Sequence, residues 1–414
     1  MNRTCNMALT ALLTVGLVVT GNGCDRNQNA SSAEPGAGKN GAPMLSRTVL
    51  MSGLSNPWDM AFTPDGAMLF TEKCRGLSVR RADGSIKRLF GAPGAAVVAD
   101  DFFCRGQSGM HGVAVDPDFA RNRLLYVYMP SKASSPETNR VVRLAVAGDY
   151  STVSDRTDIV TDISFKHRAN RWGGSGAHSG GRLRFSPFDG YLYVTTGDNH
   201  NGPLPQDLSR LGGKVLRIDG HGAAAPGNRT QAGGDPRIFT YGHRNVQGIA
   251  FHPATGQPFA CEHGPGHNDE VTPLIAGGNG GWDPKPEPGV ACASDYCGYI
   301  SNKPDGTPTP MTDLAKFPDA MRPSWNNDGQ SEGMGPCTFL NGAGWQEWDG
   351  RLAVGFLRGA RIELLQLDAT GMTVGTTTVA GIPSERMRSL VQGPDGALYV
   401  ATDGGVIWQL APQP

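Results

Sequence analysis

The stretch RSLVQGPDGALYVATDGG, residues 388–405, sets alternating apolar positions on both sides of a Pro394-Asp395-Gly396 turn. Period-two alternation around a turn rich in Gly, Pro and Asp is the signature of a β-hairpin. The same phrase recurs along the chain, as WDMAFTPDGAMLFTE from Trp58, HGVAVDPDFARNRLLYVYM from His111 and GRLRFSPFDGYLYVTTGD from Gly181. It returns as QGIAFHPATGQPFACEHG from Gln247 and, more weakly, as CTFLNGAGWQEWDGRLAVGFL from Cys337. No segment has a strong amphipathic helical pattern. Repeated antiparallel units at recurring intervals predict an all-β fold, a six-bladed β-propeller. A β-sandwich is the alternative, but it does not require so regular a motif. In a propeller, residues at matching points of different repeats become neighbours around a central channel.

Composition supports a packed, turn-rich domain. The 414 residues include 58 Gly and 30 Pro, with 38% hydrophobic and 18% charged residues. A formal net charge of −1 gives no electrostatic footprint for nucleic acid. No uncharged apolar run is long enough to span a bilayer as a mature helix. Residues 1–24, MNRTCNMALTALLTVGLVVTGNGC, read as an export signal: Arg3, an apolar run, then small residues before Cys24. Gly21-Asn22-Gly23 matches a lipoprotein cleavage pattern only at Gly23, so two readings stay open. One is a lipidated Cys24 tethering the protein to a membrane; the other is ordinary cleavage. Either places the protein in the periplasm. Residues 25–44 have the composition of a disordered linker, leaving 45–414 for the propeller. Beyond Cys5 and Cys24 stand six cysteines, Cys74, Cys104, Cys261, Cys292, Cys297 and Cys337. In an exported chain an even number favours disulfides, with the pairing open.

Polar residues precede the predicted innermost strands in several repeats: Gln107, His178, Arg244 with Asn245, and Arg386 with Arg388. Arg386 and Arg388 stand two apart, so in a strand they share a face. Two adjacent guanidinium groups repel unless an anion lies between them, which points to an anionic ligand in the channel. His178 and Asp198 sit at opposite ends of one hairpin. A carboxylate there could hold the imidazole's tautomer and leave its other nitrogen as a general base. Taken alone, the pair would equally suit a solvated histidine and a Gly-Asp turn. In CEHGPGHNDEV, residues 261–271, carbonyls at Gly264-Pro265 and the acids Asp269 and Glu270 are hard oxygen ligands of the kind Ca²⁺ takes. His263 and His267 suggest zinc, but no third ligand has a persuasive spacing.

The motifs HSGGRLRFSPFDGYLYVTTGDN, LGGKVLRIDGHG, YGHRNVQGIAFHP, EHGPGHNDEV, GGNGGW and RMRSLVQGPDGALYVATD occur in the order seen in soluble PQQ-dependent aldose (glucose/sorbosone-type) dehydrogenases. The resemblance runs from about Asn56 to the C-terminus. It implies a six-bladed propeller holding pyrroloquinoline quinone (PQQ) and Ca²⁺ at the channel mouth. It implies oxidation of a sugar's C1 hydroxyl to the lactone, with electrons passed to an external acceptor, a quinone or a cytochrome. By resemblance His178 is the base and Asp198 its orienting carboxylate. Gln107, Arg244, Asn245, Arg358, Arg386 and Arg388 contact the cofactor together with His178, Arg244 serving catalysis as well. Gly264 and Pro265 offer main-chain carbonyls to calcium, with Asp269 and Glu270 as candidates for a second calcium. The glycines beside His178 are expected to leave room for a flat cofactor and a sugar.

Three features depart from the family pattern. Arg358, in Leu357-Arg358-Gly359, stands where relatives carry lysine, which leaves its contact with the quinone in question. The segment FKHRANRWGGSG (165–176) and the cysteine-bearing VACASDYCGYI (290–300) are unexpected and bear on substrate preference. A calcium-dependent lactonase would want a ring of acids around its metal, where this channel offers arginines. A non-catalytic binding propeller would not need His178, Asp198 and the arginines together.

Overall fold

The computed structural model describes residues 41–169, 173–285, 299 and 306–413. The export signal, Cys24, most of the linker, Cys292 and Cys297 lie outside the described residues.

Local sequence decides the hairpins. In the 388–405 repeat, Met387–Gln392 pairs with Leu398–Thr402, in register Leu390 to Val400 and Gln392 to Leu398. Gly393 N donates to Ala397 O at 2.8 Å to close the turn. Gly396 sits at φ 79°, a left-handed geometry that costs glycine little. The Asp395 carboxylate accepts from Ala397 N at 3.2 Å and from the Tyr399 hydroxyl at 2.8 Å, the side-chain lock that makes Asp a turn residue.

The described strands form six sheets, antiparallel but for two short parallel edge pairings. Blade 1 starts with Pro57–Phe62, blade 2 with Val113–Val115 and blade 3 with Leu183–Phe185. Blade 4 starts with Val246–Phe251, blade 5 with Met334–Phe339 and blade 6 with Met387–Gln392. These first strands touch one another in sequence and the sixth touches the first, closing a ring around the channel. The fold is a six-bladed β-propeller. Its last blade takes its outermost strand, Leu45–Met51, from the other end of the chain, paired antiparallel with Ile407–Pro412.

Among the described residues the core comprises six apolar wedges, one between each pair of adjacent blades, and a small cluster of Trp282, Tyr299 and Met311. Both faces of most inner strands are therefore buried, as in Met68–Glu72 and Leu192–Thr195. Two disulfides form among the described cysteines, Cys74–Cys104 and Cys261–Cys337. The second joins blade 4 to blade 5. Register shifts mark the start of the first strand in blades 1, 4, 5 and 6. Bulges of this kind re-aim side chains, and they lie at the end of the channel where the polar residues gather.

Candidate active site

At that end a cavity of about 420 Å³ is lined from all six blades, by Gln107, His178, Asn245, Arg386 and Arg388 among the expected residues. His178 adopts φ 52°, an unusual backbone for a non-glycine residue and one that marks a constrained site. Its Nδ1 lies 2.7 Å from Asp198 Oδ1. A carboxylate at Nδ1 holds the ring proton there, leaving Nε2 with its lone pair. Asp198 is completely buried and accepts two further bonds, from Trp282 Nε1 at 2.8 Å and from His200 N at 2.9 Å. Burial raises the Asp198 carboxyl above its ordinary value, while nearby His200 and Arg244 and the donated hydrogen bonds pull the other way. Burial lowers the His178 imidazole well below its ordinary value, and the charge of Arg244 adds to this. The pair is thus a neutral imidazole aimed by a buried carboxyl group.

The glycines beside it do something other than make room for ligand. A Cβ on Gly180 would lie 2.7 Å from Thr196 Cα, and one on Gly181 would lie 2.8 Å from His111 Nδ1. Both positions, at φ 59° and 103°, are glycine because protein atoms already fill the space. Asn245 ties this turn to blade 4, its Oδ1 accepting from Gly180 N at 3.2 Å and Gln247 Nε2 at 3.1 Å.

Arg386 and Arg388 converge as expected, but the chain itself supplies the anion between them. Arg386 Nε donates to Asp403 Oδ2 at 2.8 Å; Arg388 Nε and Nη2 donate to Asp403 Oδ1 and Oδ2 at 2.8 Å each. Their proximity therefore does not by itself demand a ligand. Two cations against one acid still leave a positive wall, and Lys73 adds a third cation at the same cavity. Burial lowers the Lys73 ammonium, as does the charge of Arg388. With the side-chain amides of Gln107, Asn245 and Gln247 in the same wall, the donor set fits a polycarboxylate.

Two residues expected at the cofactor, Arg244 and Arg358, are not among those lining the cavity. Arg244 is buried behind the cavity wall, donating to Tyr299 Oη at 3.1 Å and to His263 O at 2.5 Å. Its charge reaches His178 and Asp198 without its side chain reaching the cavity. Arg358 is exposed and turned toward the Gln330 side-chain amide. Its neighbour Leu357 takes the position in the wall.

Asp269 and Glu270, the candidates for a second calcium, are both engaged by the protein. Asp269 Oδ1 accepts from Gly264 N at 2.8 Å and Ser331 Oγ at 2.7 Å, and Oδ2 accepts from Glu332 N at 2.7 Å. That carboxylate is committed to shaping the Gly264-Pro265 loop. Glu270 is buried and bonded by Thr312 Oγ1 at 2.8 Å. Burial, reinforced by Glu262 and Asp269, pushes its carboxyl up to about 8. Among the described residues no cluster of three His, Cys, Asp or Glu side chains is placed to hold a metal. The loop is tightly curled: a Cβ on Gly264 would meet His267 O and Asn268 O.

Sequence reasoning gave no role to Trp58, Lys73, His111, His200 and Asp403, and weighed His263 only as a zinc ligand; all six stand in the wall. A signal was present. Lys73, His263, Leu357 and Asp403 are each the first residue after the second strand of their blade, and Asp198 occupies nearly the same point in blade 3. The repeat marks a ring of hairpin-closing positions, of which only Asp198 stood out by its residue type.

This architecture recurs in known proteins. A family model described as glucose/sorbosone dehydrogenase matches residues 54–408. The aldose sugar dehydrogenase YliI of Escherichia coli is 30% identical over 88% of this chain and 92% of its own length. The crystal structure of the soluble aldose sugar dehydrogenase from E. coli, in its apo form, is 25% identical with a TM-score of 0.71, covering 89% of this chain and 100% of the other. The PQQ-bound aldose sugar dehydrogenase of Streptomyces coelicolor is 25% identical with a TM-score of 0.64, covering 90% and 100%. Propeller, ordered motifs and near-complete coverage agree, and the chain belongs to the glucose/sorbosone dehydrogenase family.

Proposed function

We propose that the protein is a PQQ- and Ca²⁺-dependent aldose dehydrogenase that oxidises the C1 hydroxyl of a sugar to the lactone and yields its electrons to an external acceptor. The observation that carries this reading is the His178–Asp198 pair set in a cavity whose other charged groups are mainly cationic. Arg388, Arg386 and Lys73 would hold the carboxylates of PQQ, with Gln107 and Asn245 as further donors. The carbonyls of Gly264 and Pro265 would hold Ca²⁺, and Asp269 keeps their loop in shape. When bound, this pair supplies a two-electron acceptor for the C1 hydride and a Lewis acid that polarises it.

The chain's own part is to bind, aim and deprotonate. His178 Nε2, unprotonated because Nδ1–H is committed to Asp198, takes the proton of the anomeric hydroxyl. Asp198 fixes the ring plane and stabilises the imidazolium that forms. A lactonase is disfavoured because the wall lacks a ring of acids; among the lining residues Asp403 is the one carboxylate. Export to the periplasm, with or without lipidation of Cys24, belongs to the same proposal and rests on residues 1–24.

The test loads purified protein with PQQ and Ca²⁺ and follows the bound quinone's absorbance after anaerobic addition of an aldose. Reduction is expected, and His178→Ala should lower its rate by about 10²–10⁴ while PQQ affinity holds. PQQ binding without reduction by any of a panel of aldoses would overturn the sugar assignment. Unchanged turnover in the variant would remove His178 as base.

A further inference from the structure

Segment 165–176, which departs from the family pattern, carries a lysine into the back of the site. Lys166 is fully buried, and its Nζ lies 2.7 Å from Nδ1 of His200. An ammonium has only hydrogens to offer, so Nδ1 of His200 accepts and its ring proton resides on Nε2. The His200 ring lies against that of His178, with centroids 3.7 Å apart and planes tilted by 38°. Tyr299 closes on it edge-to-face, at 4.8 Å. Gly173 is drawn in closely: a Cβ on it would come within 2.9 Å of His200 Cε1. Through its own N–H, His200 also bonds the Asp198 oxygen that orients His178.

We propose that Lys166 and His200 are positioning residues for His178: the ammonium fixes the tautomer of His200, and the fixed ring sets the plane and protonation range of the neighbouring imidazole. The consequence for turnover rests on His178 being the base proposed above; the tautomer and the charge effect do not.

The described charged and titratable groups facing this cluster are Asp198 and His178 from blade 3, Arg244 and His263 from blade 4, and Tyr299. Burial lowers the Lys166 ammonium to about 8, opposed by the charge of Asp198. At neutral pH it therefore still holds its proton. Its positive charge disfavours a second one on either imidazole: burial is the largest cause holding His200 far below its ordinary range, with charge repulsion from its neighbours adding to it. Removing the ammonium should raise the basicity of both rings.

The first measurement uses protein labelled with ¹⁵N-histidine, free of PQQ and Ca²⁺. His200 is expected as the Nε2–H tautomer, without titration between about pH 5 and 8. In Lys166→Met it should lose the fixed tautomer or begin to titrate, and Lys166→Arg should restore the wild-type behaviour in part. An Nδ1–H tautomer in the wild type overturns the proposal, and that reading needs no variant to fold. The second measurement is the pH profile of sugar oxidation. Lys166→Met should move the acid limb of kcat/KM to higher pH; an unmoved limb in a folded, active variant also counts against the pair. The expected tautomer in a protein that oxidises no sugar would sink the enzymatic reading while leaving the Lys166–His200 arrangement intact.

Discussion

Arg388 and Arg386 illustrate how much a charged residue's role depends on its partner. Burial works to raise the Asp403 carboxyl, but the hydrogen bonds and charges of Arg388 and Arg386 outweigh it and hold Asp403 below its ordinary value. The carboxylate stays ionised and keeps both forks aimed. The two arginines differ in exposure, with side chains 18% and 52% exposed for Arg388 and Arg386. Screening by water weakens the more exposed one. Arg388→Ala is accordingly expected to weaken PQQ binding by about 10- to 100-fold, as befits a charge-assisted bond in a partly buried site. Arg386→Ala should cost clearly less. Titration calorimetry with PQQ measures both, and equal losses would mean that exposure does not rank these groups.

At the scale of elements, the blades' inner hairpins were legible from alternation and turn chemistry, while the last blade also needs Leu45–Met51 from the other end of the chain. What joins blades is side-chain packing in six wedges, plus the Cys261–Cys337 bridge across a sequence separation of 76 residues. That bridge runs from the second strand of blade 4 to the first strand of blade 5, inside the apolar wedge between them. Removing it in Cys261→Ala/Cys337→Ala should cost about 2–5 kcal/mol, because the unfolded chain regains the freedom of a long loop. Thermal unfolding with and without reductant measures this. A wild-type midpoint unmoved by complete reduction would show that the wedge holds the blades without help.

For the whole molecule, one buried guanidinium gathers the ring. Arg182, at the start of blade 3, donates to Gln247 O at 3.1 Å, Arg388 O at 2.9 Å and Trp58 O at 3.4 Å. It also pairs with Asp59 at 2.5 Å and lies over the Trp58 ring at 4.2 Å. Four blades thus meet on one side chain, and Trp58, Gln247 and Arg388 all line the cavity. Burial lowers the Arg182 guanidinium to about 10, with Asp59 as the main opposing charge, which leaves it charged at neutral pH. Arg182→Met should destabilise the fold by about 3–5 kcal/mol, since it strips a partner from a buried carboxylate and orphans several carbonyls. Denaturant unfolding would measure the loss. A stability within error of wild type would mean that Arg184, which also pairs with Asp59, suffices to hold the hub.

The sequence by itself determined the repeating hairpin, the number of blades and several of the positions that face the channel, because alternation and turn geometry are local properties repeated six times. It put His178 and Asp198 at the two ends of one hairpin, within reach of each other, and the structure shows them bonded. Tertiary structure decided which way the long side chains turn. Arg244 is drawn back by Tyr299 and the His263 carbonyl, Arg358 is turned outward, and Asp403 stands between two arginines. The Tyr299 hydroxyl reaches Arg244 from a separate loop, which no local pattern names; Asp403 ends the same hairpin as its two arginines, yet only the folded hairpin sets its carboxylate between them. The Lys166–His200 contact belongs to the same class. Lys166 precedes blade 3 and His200 follows its second strand, 34 residues on, and only the folded chain brings the ammonium to Nδ1.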